Sequence, residues 1–487
     1  MLVVYTELWY WQILKKMNTK KTRIIATIGP ASQNEKVLTK MIKSGVNLVR
    51  LNFSHGDHKI HERTVQLIRE ISKKLKISVS IIQDLSGPKI RIGDFYKDRV
   101  NLKTGSIFTL STKLCIGDES VVFVNYKNLP REVKSGSMLL LDDGKKKLCV
   151  ISVLKSEIKC RVVVGGEMKN RRGVNIPGAY LKISCLTEKD KKDIAFGIKY
   201  DVDFFALSFV RKPSDILELR YILNQEKSEA GIIAKIETEE AIENLDAIID
   251  VTDAVMVARG DLAVEMPPED VPTLQKIIVK KCNKSGKPVI VATQMLESMI
   301  KCPVPTRAEV SDIANSILDG ADALMLSEET ALGDYPVEVI NIMASVAIKT
   351  ELNYPKKEIQ VVDEQYKKGI VDSITESIVK TANDIDAKII IALTESGFTP
   401  RMISRYKPTQ KIVVLTPNQK TANKIMLSFG CYPFIIKPFQ DIIQVSDYVS
   451  SFVIKNKYAK KGDRIVIAAG IPFGQVGGTN TIMVQEI

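Results

Sequence analysis

The sequence predicts an α/β protein, in which a (β/α)8 TIM barrel carries an inserted all-β lid domain and is followed by a C-terminal α/β domain. Three observations predict this fold class. Eight short apolar runs alternate with segments of helical length between residues 23 and 352. The region between the third and fourth runs contains short alternating runs separated by turn signals. After residue 355, predicted strands again alternate with predicted helices.

The eight apolar runs are predicted to be the barrel strands, because each is followed, directly or after the insertion, by an amphipathic segment of helical length. In chain order they read RIIATIGP, VNLVRLNFS, ISVSIIQDL, VDFFALSFV, GIIAKIE, DAVMVARGD, PVIVATQM and ADALMLSEE. Eight βα units favour a closed parallel barrel over an open sheet. We expect residues 22–92 and 185–352 to form it.

Residues 93–184 are predicted to form the lid domain. Their short alternating runs GSIFTLS, SVVFVNY, SMLLLDDGKKKLCVISV and IKCRVVVGG are separated by D-G and G-G turn signals. The insertion follows a barrel strand at the end where barrel chemistry gathers, so we expect a lid that excludes water from the site. A passive decoration is the alternative.

Residues 355–487 are predicted to form a second α/β domain, with strands in AKIIIAL, KIVVLTP, YPFIIKP and DRIVIAAG. The first of these strands runs into TESGFTPR, where Thr394, Ser396, Gly397 and Thr399 bunch at a helix start. Hydroxyls and free backbone N–H groups at such a position can form an anion pocket for an effector. Simple helix capping explains the same residues equally well.

Composition and charge restrict the partners. The 487 residues are 45% hydrophobic and 26% charged, and the net charge of +13 comes from Lys and Arg spread along the chain among 57 acids. This pattern favours a solvated basic surface that attracts anionic substrates over nucleic-acid binding. The seven cysteines are scattered without a C-x-x-C pair, which argues against a disulfide framework or a zinc knuckle and favours the cytoplasm.

Residues 1–21 are predicted to be an N-terminal leader outside the barrel. The first sixteen residues lack a basic n-region and a small-residue cleavage site, and their apolar stretch is too short to cross a bilayer. We therefore expect neither secretion nor a membrane partner. Met17 is a plausible true start, which makes the leader an upstream start; an amphipathic arm on a partner surface is the alternative.

Polar side chains follow nearly every predicted barrel strand, at the rim where the chemistry of such barrels is found. The residues that begin the strands are mostly Val, Ile and Ala, so we expect the opposite rim to carry few charges. The polar residues at the strand ends are Arg50, Asn52, Ser54, Asp84, Ser208, Arg211, Lys235, Glu237, Arg259, Asp261, Thr293, Gln294, Ser327 and Glu328.

Lys235 and Glu237 are two residues apart, so they point to the same face of a strand, into the barrel mouth. An isolated buried pair would stabilise the fold little, because desolvation costs about what the attraction returns. Glu237 and Asp261 follow adjacent strands and can share a hard divalent cation such as Mg²⁺, leaving Lys235 to face a bound anion. A structural ion-pair network is the alternative.

All three histidines lie in FSHGDHKIHER, as His55, His58 and His61. Their spacing drifts around a helix and no cysteine lies nearby, so we interpret them as residues of a surface helix and not as a metal site. Acid–base chemistry is therefore expected from Lys, Thr, carboxylates or water.

Nine ordered motifs give the chain a specific resemblance to pyruvate kinases over essentially residues 22–487. They are TIGPAS, VRLNFSHG, GPKIR, TEKD, KIE, ARGDLAVE, ATQMLESM, PTRAEVSDIAN and DGADALMLSEETA. The resemblance implies a barrel A domain, a lid B domain and a C-terminal effector domain, together with transfer of the phosphoryl group of phosphoenolpyruvate to ADP. It also implies a homotetramer and Mg²⁺ as the cofactor, for which Mn²⁺ could substitute.

Residue by residue, the resemblance implies the following roles. Lys235 would neutralise the phosphoryl group in transfer, and Glu237 and Asp261 would hold the divalent cation. The backbone N–H groups around Gly260 and Asp261 would bind the substrate carboxylate. Thr293 would lie at the enolate face and help to deliver the proton.

The nucleotide side of the site is implied in the same way. Arg50 would contact the substrate and the nucleotide phosphates, with His55 beside it. Asn52 and Arg91 complete the nucleotide-binding set that the resemblance suggests.

A monovalent-cation site is the one place where the resemblance suggests a change of chemistry. Relatives that need K⁺ hold it with oxygens at positions that here are Asn52, Ser54 and Asp84, plus a threonine where this chain has Leu85. They also carry Glu where this chain has Lys89. We therefore expect Lys89 to act as an internal cation and K⁺ not to be required, whereas a solvent-facing Lys89 with K⁺ bound through backbone oxygens is the alternative.

Three positions depart from the family pattern. Ala263 and Glu328 stand where many relatives have Gly, which we interpret as subfamily variation. Phe398 stands where relatives often have Arg, which puts the identity of the effector in doubt. A Mg²⁺-dependent carbon–carbon lyase on a related barrel and a non-catalytic basic scaffold are the competing functions, and dependence on ADP separates them from a kinase.

Overall fold

The computed structural model describes residues 20–353, 369–439, 441–472 and 478–487. Most of the predicted leader, including Met17, lies outside the described residues. The chain enters the barrel through strands β1 (Arg23–Thr27), β2 (Leu48–Asn52) and β3 (Ser80–Asp84). β1 and β3 are fully buried, and β2 is buried except at Arg50 and Asn52, which suits parallel strands covered by helices on the outside.

The insertion after β3 is rich in strands, as predicted. A six-stranded sheet and a separate two-stranded ribbon make up its framework, and one short helix interrupts it. Its strands are β4 (Arg99–Leu102), β5 (Ile107–Ser111), β6 (Val121–Phe123), β7 (Met138–Leu141), β8 (Lys146–Val153), β9 (Glu157–Val164), β10 (Gly166–Lys169) and β11 (Val174–Asn175).

Five further strands complete the barrel, which closes in the order β1-β16-β15-β14-β13-β12-β3-β2 with every pair parallel. The prediction of eight parallel strands is confirmed. The five strands are β12 (Phe204–Leu207), β13 (Gly231–Ile236), β14 (Ala254–Ala258), β15 (Val289–Ala292) and β16 (Ala323–Leu326).

The C-terminal region forms a five-stranded sheet in the order β19-β18-β17-β20-β21. Four of its strands were predicted. The fifth was missed and pairs antiparallel with β20 at the sheet edge. The five strands are β17 (Ile389–Leu393), β18 (Lys411–Thr416), β19 (Cys431–Ile435), β20 (Arg464–Ala469) and β21 (Thr481–Glu486).

Helices cover the outside of the barrel and both faces of the C-terminal sheet. The helix at 307–318 shows why they start where they do, since Thr306 and Glu309 form a reciprocal capping box. The helices are Glu35–Lys43, His58–Leu75, Leu129–Glu132, Glu188–Lys199, Pro213–Gln225, Glu239–Glu243, Leu245–Val251, Arg259–Glu265, Val271–Lys284, Arg307–Leu318, Glu328–Ala331, Pro336–Leu352, Ile370–Asp384, Phe398–Ser404, Gln419–Ile425 and Ile442–Lys455, with a 3-10 turn at Glu297–Ile300.

Alternation along the strands separates two barrel cores. Residues such as Ile24 and Val255 pack outward against the helices, whereas Ile25, Ile233 and Met256 fill the barrel interior. Leu427 of the C-terminal region joins that interior cluster, so the C-terminal domain plugs the base of the barrel.

The opposite rim is not the uncharged surface that was expected. Asp203, Asp253 and Asp322 directly precede β12, β14 and β16, and each accepts the N–H of a residue at or near the start of the neighbouring strand. Asp322 also receives the buried ammonium of Lys407 at 2.8 Å, and Arg23 is almost fully buried against C-terminal carbonyls. The expectation was wrong even though the runs VDFFALSFV, DAVMVARGD, ADALMLSEE and RIIATIGP contain the three aspartates and Arg23, because it gave weight only to the Val, Ile and Ala at the strand starts.

No helix within the described ranges is long and apolar enough to cross a membrane. The predicted domain boundaries at 92/93 and 184/185 stay predictions.

Candidate active site

Lys235 is the centre of the charged cluster in the barrel mouth. It lies on β13 with its side chain 10% exposed, and its Nζ donates to Oγ of Ser208 at 2.7 Å. The same Nζ lies 2.8 Å from Oε1 of Glu237 and 3.5 Å from Oδ1 of Asp84. Burial alone would lower the pKa of Lys235, but Asp84, Glu237 and Asp261 outweigh it and raise the pKa, so the ammonium keeps its charge.

Asp84 joins Lys235 to Arg50. Nε of Arg50 donates to Oδ2 of Asp84 at 2.6 Å, and another guanidinium nitrogen of Arg50 donates to Oγ1 of Thr27 at 3.1 Å. Burial opposes ionisation of Asp84, yet Lys235 and Arg50 hold its pKa below the usual value. Arg50 is therefore fixed at the rim by a bond to a carboxylate that stays ionised.

Glu237 is oriented and only partly satisfied. Its Oε2 accepts the backbone N–H of Phe209 at 2.8 Å, whereas its buried Oε1 has the ion contact with Lys235 but no donor in hydrogen-bonding geometry. Burial first, and then the neighbouring Asp261, raises the pKa of Glu237 against the opposing effect of Lys235. A buried carboxylate oxygen without a hydrogen bond suits a hard cation.

Asp261 provides the second carboxylate. It lies in the first turn of the helix at 259–265, directly after β14, which pairs with β13. In the part of the chain that the structure describes, no group of three His, Cys, Asp or Glu side chains could hold a metal. Two carboxylates with substrate oxygens completing the shell is the arrangement that Mg²⁺ accepts, so the residues present fit that ion.

Thr293 occupies a strained turn directly after β15. The φ of Thr293 is +72°, which is unusual for a β-branched residue, and the φ of the next residue, Gln294, is +55°. Such strained backbone conformations cluster at functional sites. Oγ1 of Thr293 accepts the N–H of Gly260 at 2.9 Å, and Arg259 donates to the carbonyl of Thr293 at 2.7 Å. The hydroxyl thus lies beside the helix start at which the substrate carboxylate is expected.

The rim faces a cleft of about 420 Å³ between barrel and lid. The barrel side of the cleft includes His55, Asp261 and Glu328, and the lid side includes Asp142 and Asp143. Lys89 and Arg91 line the same cleft on the segment that leads into the lid. The structure therefore brings the predicted metal ligand Asp261 and the predicted nucleotide residues His55 and Arg91 to one cavity.

The proposed monovalent-cation region is only partly assembled. Asn52 accepts the N–H of Ser54 through its Oδ1 at 3.1 Å, and the carbonyl of buried Leu85 accepts the hydroxyl of Ser208 at 2.8 Å. Lys89 is exposed, and its Nζ lies 6.0 Å from the ring centroid of Phe209. Lys89 is thus in the cleft, at the hinge of the lid.

The interpretation of the histidines as a surface helix is wrong for His61. Its ring is buried and stacked on Phe53 with centroids 4.0 Å apart, and burial lowers its pKa. The alternation of the sequence could have shown this, because His61 falls on the same helix face as buried Val65 and Ile68. His58 is half exposed and contacts Asp193 at 2.7 Å.

Three of the four predicted effector residues, all except Gly397, line a second cavity at the end of β17. Thr394, Ser396 and Thr399 line it together with Phe398 and Phe439.

Capping bonds are also present among these residues. Oγ1 of Thr394 accepts the N–H of Gly397 at 2.9 Å, and the hydroxyl of Thr399 lies 2.8 Å from that of Thr479.

Comparison with known proteins decides the family. Residues 19–340 match the family described as "Pyruvate kinase, barrel domain", and residues 372–485 match "Pyruvate kinase, alpha/beta domain". The chain belongs to the pyruvate kinase family. It is accordingly a phosphotransferase, from a family whose enzymes are metal-dependent.

Individual pyruvate kinases agree along nearly the whole chain. The chain is 42% identical to pyruvate kinase from Clostridium acetobutylicum over 472 residues, which are 96% of this chain and all of that protein. It is also 42% identical to pyruvate kinase from Staphylococcus epidermidis over 96% of this chain and 80% of that protein. A crystal structure of a pyruvate kinase from Cryptosporidium parvum superposes with a TM-score of 0.91 at 35% identity, covering 97% of each chain.

Two of the rim residues to which the sequence assigns no role, Ser208 and Arg211, make specific contacts in the structure. Ser208 binds the ammonium of Lys235, and Arg211 donates to the carbonyls of Leu181 and Ile183 in the segment that returns from the lid. Phe209, whose N–H orients Glu237, had not been noticed at all. These roles depend on backbone contacts across the barrel, which no local pattern reveals.

Proposed function

We propose that the cleft transfers the phosphoryl group of phosphoenolpyruvate to ADP. The bond between phosphorus and the enol oxygen breaks, a terminal phosphate oxygen of ADP bonds to phosphorus, and the remaining enolate takes a proton at its methylene carbon to give pyruvate. The observation that carries the proposal is the buried, charged ammonium of Lys235 beside Glu237, close enough to Asp261 to be affected by its charge, with Asp261 lining the cleft between barrel and lid. Such transfer needs positioning and charge neutralisation more than covalent chemistry.

Each residue has a task that its geometry supports. Lys235 neutralises the phosphoryl oxygens, and Arg50, held by Asp84, contacts the phosphates of substrate and nucleotide. The N–H groups of Gly260 and Asp261, in the first turn of a helix, are proposed to bind the substrate carboxylate, for which the N–H of Gly260 must give up its bond to Oγ1 of Thr293. Thr293 lies beside them and relays a proton to the enolate.

Glu237 and Asp261 would hold Mg²⁺, for which Mn²⁺ can substitute. The ion would supply positive charge to the oxygens of phosphate and enolate during transfer. The support is the buried Oε1 of Glu237, which has an ion contact with Lys235 but no well-directed hydrogen bond, and the position of Asp261 directly after the neighbouring strand β14. Two carboxylates suit an ion that keeps water and substrate oxygens in its shell.

The nucleotide is proposed to lie on the hinge side of the cleft, near His55 and Arg91, which line it, and near Asn52 at the end of β2. The lid would close over it and exclude water. Lys89, at this hinge, is proposed to supply the positive charge that K⁺ brings in K⁺-dependent relatives. The support is that this chain keeps Asn52, Ser54 and Asp84 but has Leu85 where those relatives have a further hydroxyl ligand.

The remaining proposals concern assembly and regulation. Family membership supports a homotetramer in the cytoplasm, and seven free cysteines suit a reducing compartment. A phosphorylated effector is proposed for the cavity of Thr394, Ser396, Gly397 and Thr399, although the capping bonds of Thr394 offer a purely structural explanation. Calorimetry with sugar phosphates and nucleoside monophosphates would separate the two, since a cap binds neither.

A coupled assay for pyruvate tests the proposed reaction. We expect pyruvate from phosphoenolpyruvate only when both ADP and Mg²⁺ are present. Pyruvate formed without ADP would favour a Mg²⁺-dependent carbon–carbon lyase or another chemistry on the same barrel. No pyruvate under any condition would favour the non-catalytic scaffold.

A further inference from the structure

The four-residue turn 208–211, which follows β12, contacts the metal site on one side and the lid hinge on the other. We call it the connector turn. Its Ser208 hydroxyl accepts from Lys235 and donates to the carbonyl of Leu85. Its Phe209 N–H donates to Oε2 of Glu237 at 2.8 Å. Two central groups of the site are therefore oriented by this one short segment.

The same turn contacts both chain segments that join lid and barrel. The first segment passes Gly87, and a Cβ at that glycine would lie only 2.9 Å from Cδ2 of Phe209. The second segment passes Leu181 and Ile183, whose carbonyls accept the two terminal nitrogens of Arg211. When the hinge moves, it must therefore either carry the connector turn with it or break these contacts.

Backbone strain makes the connector turn sensitive to its supports. Phe209 has a φ of +56°, a conformation that bulky residues adopt only where neighbouring contacts hold them. Arg211 is mostly buried, and its own N–H donates to Oδ2 of Asp215 at 2.9 Å. We call the two hydrogen bonds from Arg211 to Leu181 and Ile183 the clamp. If the clamp breaks, Phe209 is free to relax to negative φ, and its N–H then turns away from Glu237.

We propose that the connector turn couples the position of the lid to the orientation of Glu237, with Phe209 and Arg211 as positioning residues for the metal site. The inference rests on the proposed role of Glu237 in metal binding. By linkage, a cation bound at Glu237 must stabilise the clamped hinge as much as the clamped hinge stabilises the bound cation.

The test uses the full-length protein with Mn²⁺ alone as the probe. Mn²⁺ affinity is measured by electron paramagnetic resonance, and hydrogen exchange is followed in residues 176–184 with and without Mn²⁺. In the wild type, Mn²⁺ slows exchange in this segment. Arg211→Lys keeps the positive charge but loses the planar guanidinium that donates to both carbonyls. In this variant we expect the affinity for Mn²⁺ to fall by about fivefold or more and the Mn²⁺-induced protection to disappear.

Arg69→Lys is the matched control. Arg69 also donates to two backbone carbonyls, those of Val79 and Asp201, but at the opposite rim of the barrel. The variant Arg69→Lys should leave both the Mn²⁺ affinity and the hinge protection at wild-type values.

Phe209→Gly provides a second route, because glycine adopts φ of +56° without strain but brings no ring against Gly87. Because the ring contacts the first segment and Arg211 still holds the second, exchange is followed for this variant in residues 86–92, where we expect Mn²⁺ binding without protection. If Arg211→Lys loosens residues 176–184 but binds Mn²⁺ as the wild type does, or if Phe209→Gly keeps full protection of residues 86–92, the coupling is absent. Neither measurement involves phosphoenolpyruvate or ADP, so failure of the proposed reaction would appear separately, in the pyruvate assay.

Discussion

Lys235 keeps its charge in a buried position because carboxylates surround it on several sides. Burial opposes the ammonium, but Asp84, Glu237 and Asp261 more than compensate. Asp84 has Arg50 as a second partner, whereas Oε1 of Glu237 has no hydrogen-bond donor. Removal of the ammonium would therefore affect Glu237 more than Asp84, and a bound cation would offset that effect.

Lys235→Met is predicted to fold and to bind Mn²⁺ while losing phosphoryl transfer. The loss should be about 10²–10³-fold in kcat, the range seen when one preorganised electrostatic group is removed from a transition state. Steady-state kinetics and Mn²⁺ binding measure the two properties. Lys287→Met, at the opposite rim, is the control, and turnover of Lys235→Met within tenfold of the wild type would contradict the assignment.

Thr293→Val is predicted to slow protonation of the enolate more than phosphoryl transfer, because a hydroxyl relays a proton and a methyl group does not. Exchange of solvent protons into pyruvate reports the first step, and pyruvate formation from phosphoenolpyruvate reports the whole reaction. Thr293→Ser should restore exchange, since it keeps the hydroxyl. Equal slowing of both reactions in Thr293→Val would remove this residue from the proton path.

Lys89 gives a prediction about monovalent cations. In buffers whose only monovalent cation is tetramethylammonium, the wild type is predicted to turn over fully, and Lys89→Glu is predicted to become K⁺-dependent. The reason is that, in the proposed role, the tethered ammonium at the hinge would supply the charge that K⁺ would bring. A wild-type rate that collapses without K⁺ would refute this role.

At the scale of elements, the base of the barrel depends on carboxylates that precede strands. Asp322 receives Lys407 at 2.8 Å and the N–H groups of Val289 and Phe429 at 3.0 Å each, so it links β15, β16 and the C-terminal domain. Both side chains of the Asp322–Lys407 pair are almost fully buried. Loss of one partner would leave an uncompensated charge in the interior.

Asp322→Asn is predicted to destabilise the protein by about 3–5 kcal/mol, the usual cost of breaking a buried pair. The double variant Asp322→Asn, Lys407→Met should recover part of this loss because no charge is left unpaired. Denaturant unfolding followed for the C-terminal domain measures both. Additive effects of Asp322→Asn and Lys407→Met would show that the pair is not coupled.

The sequence was sufficient to predict the barrel strands because buried parallel strands consist of continuous runs of apolar residues. It was sufficient for Lys235 and Glu237 because strand alternation fixes their common direction. It was insufficient for β21, whose residues TIMVQE form a partly exposed edge strand with a weak apolar pattern. It also failed for the base of the barrel, where burial arises from tertiary packing and not from local pattern. For His61 the failure was one of interpretation, because the helical periodicity that His61 shares with Val65 and Ile68 was available.

At the scale of the whole molecule, each region bounds the site in a different way. The barrel provides Lys235, Glu237, Asp261 and Thr293, the lid covers the cleft, and the C-terminal domain plugs the barrel base through Leu427. The central claim is that this assembly moves one phosphoryl group from phosphoenolpyruvate to ADP without releasing it to water.

Phosphorus-31 NMR of the purified protein with phosphoenolpyruvate, ADP and Mg²⁺ tests that claim most directly. The account predicts that the phosphoenolpyruvate signal disappears while the γ-phosphate signal of ATP appears in equal amount, with no build-up of inorganic phosphate. Inorganic phosphate appearing in place of ATP, or an unchanged phosphoenolpyruvate signal, would contradict it.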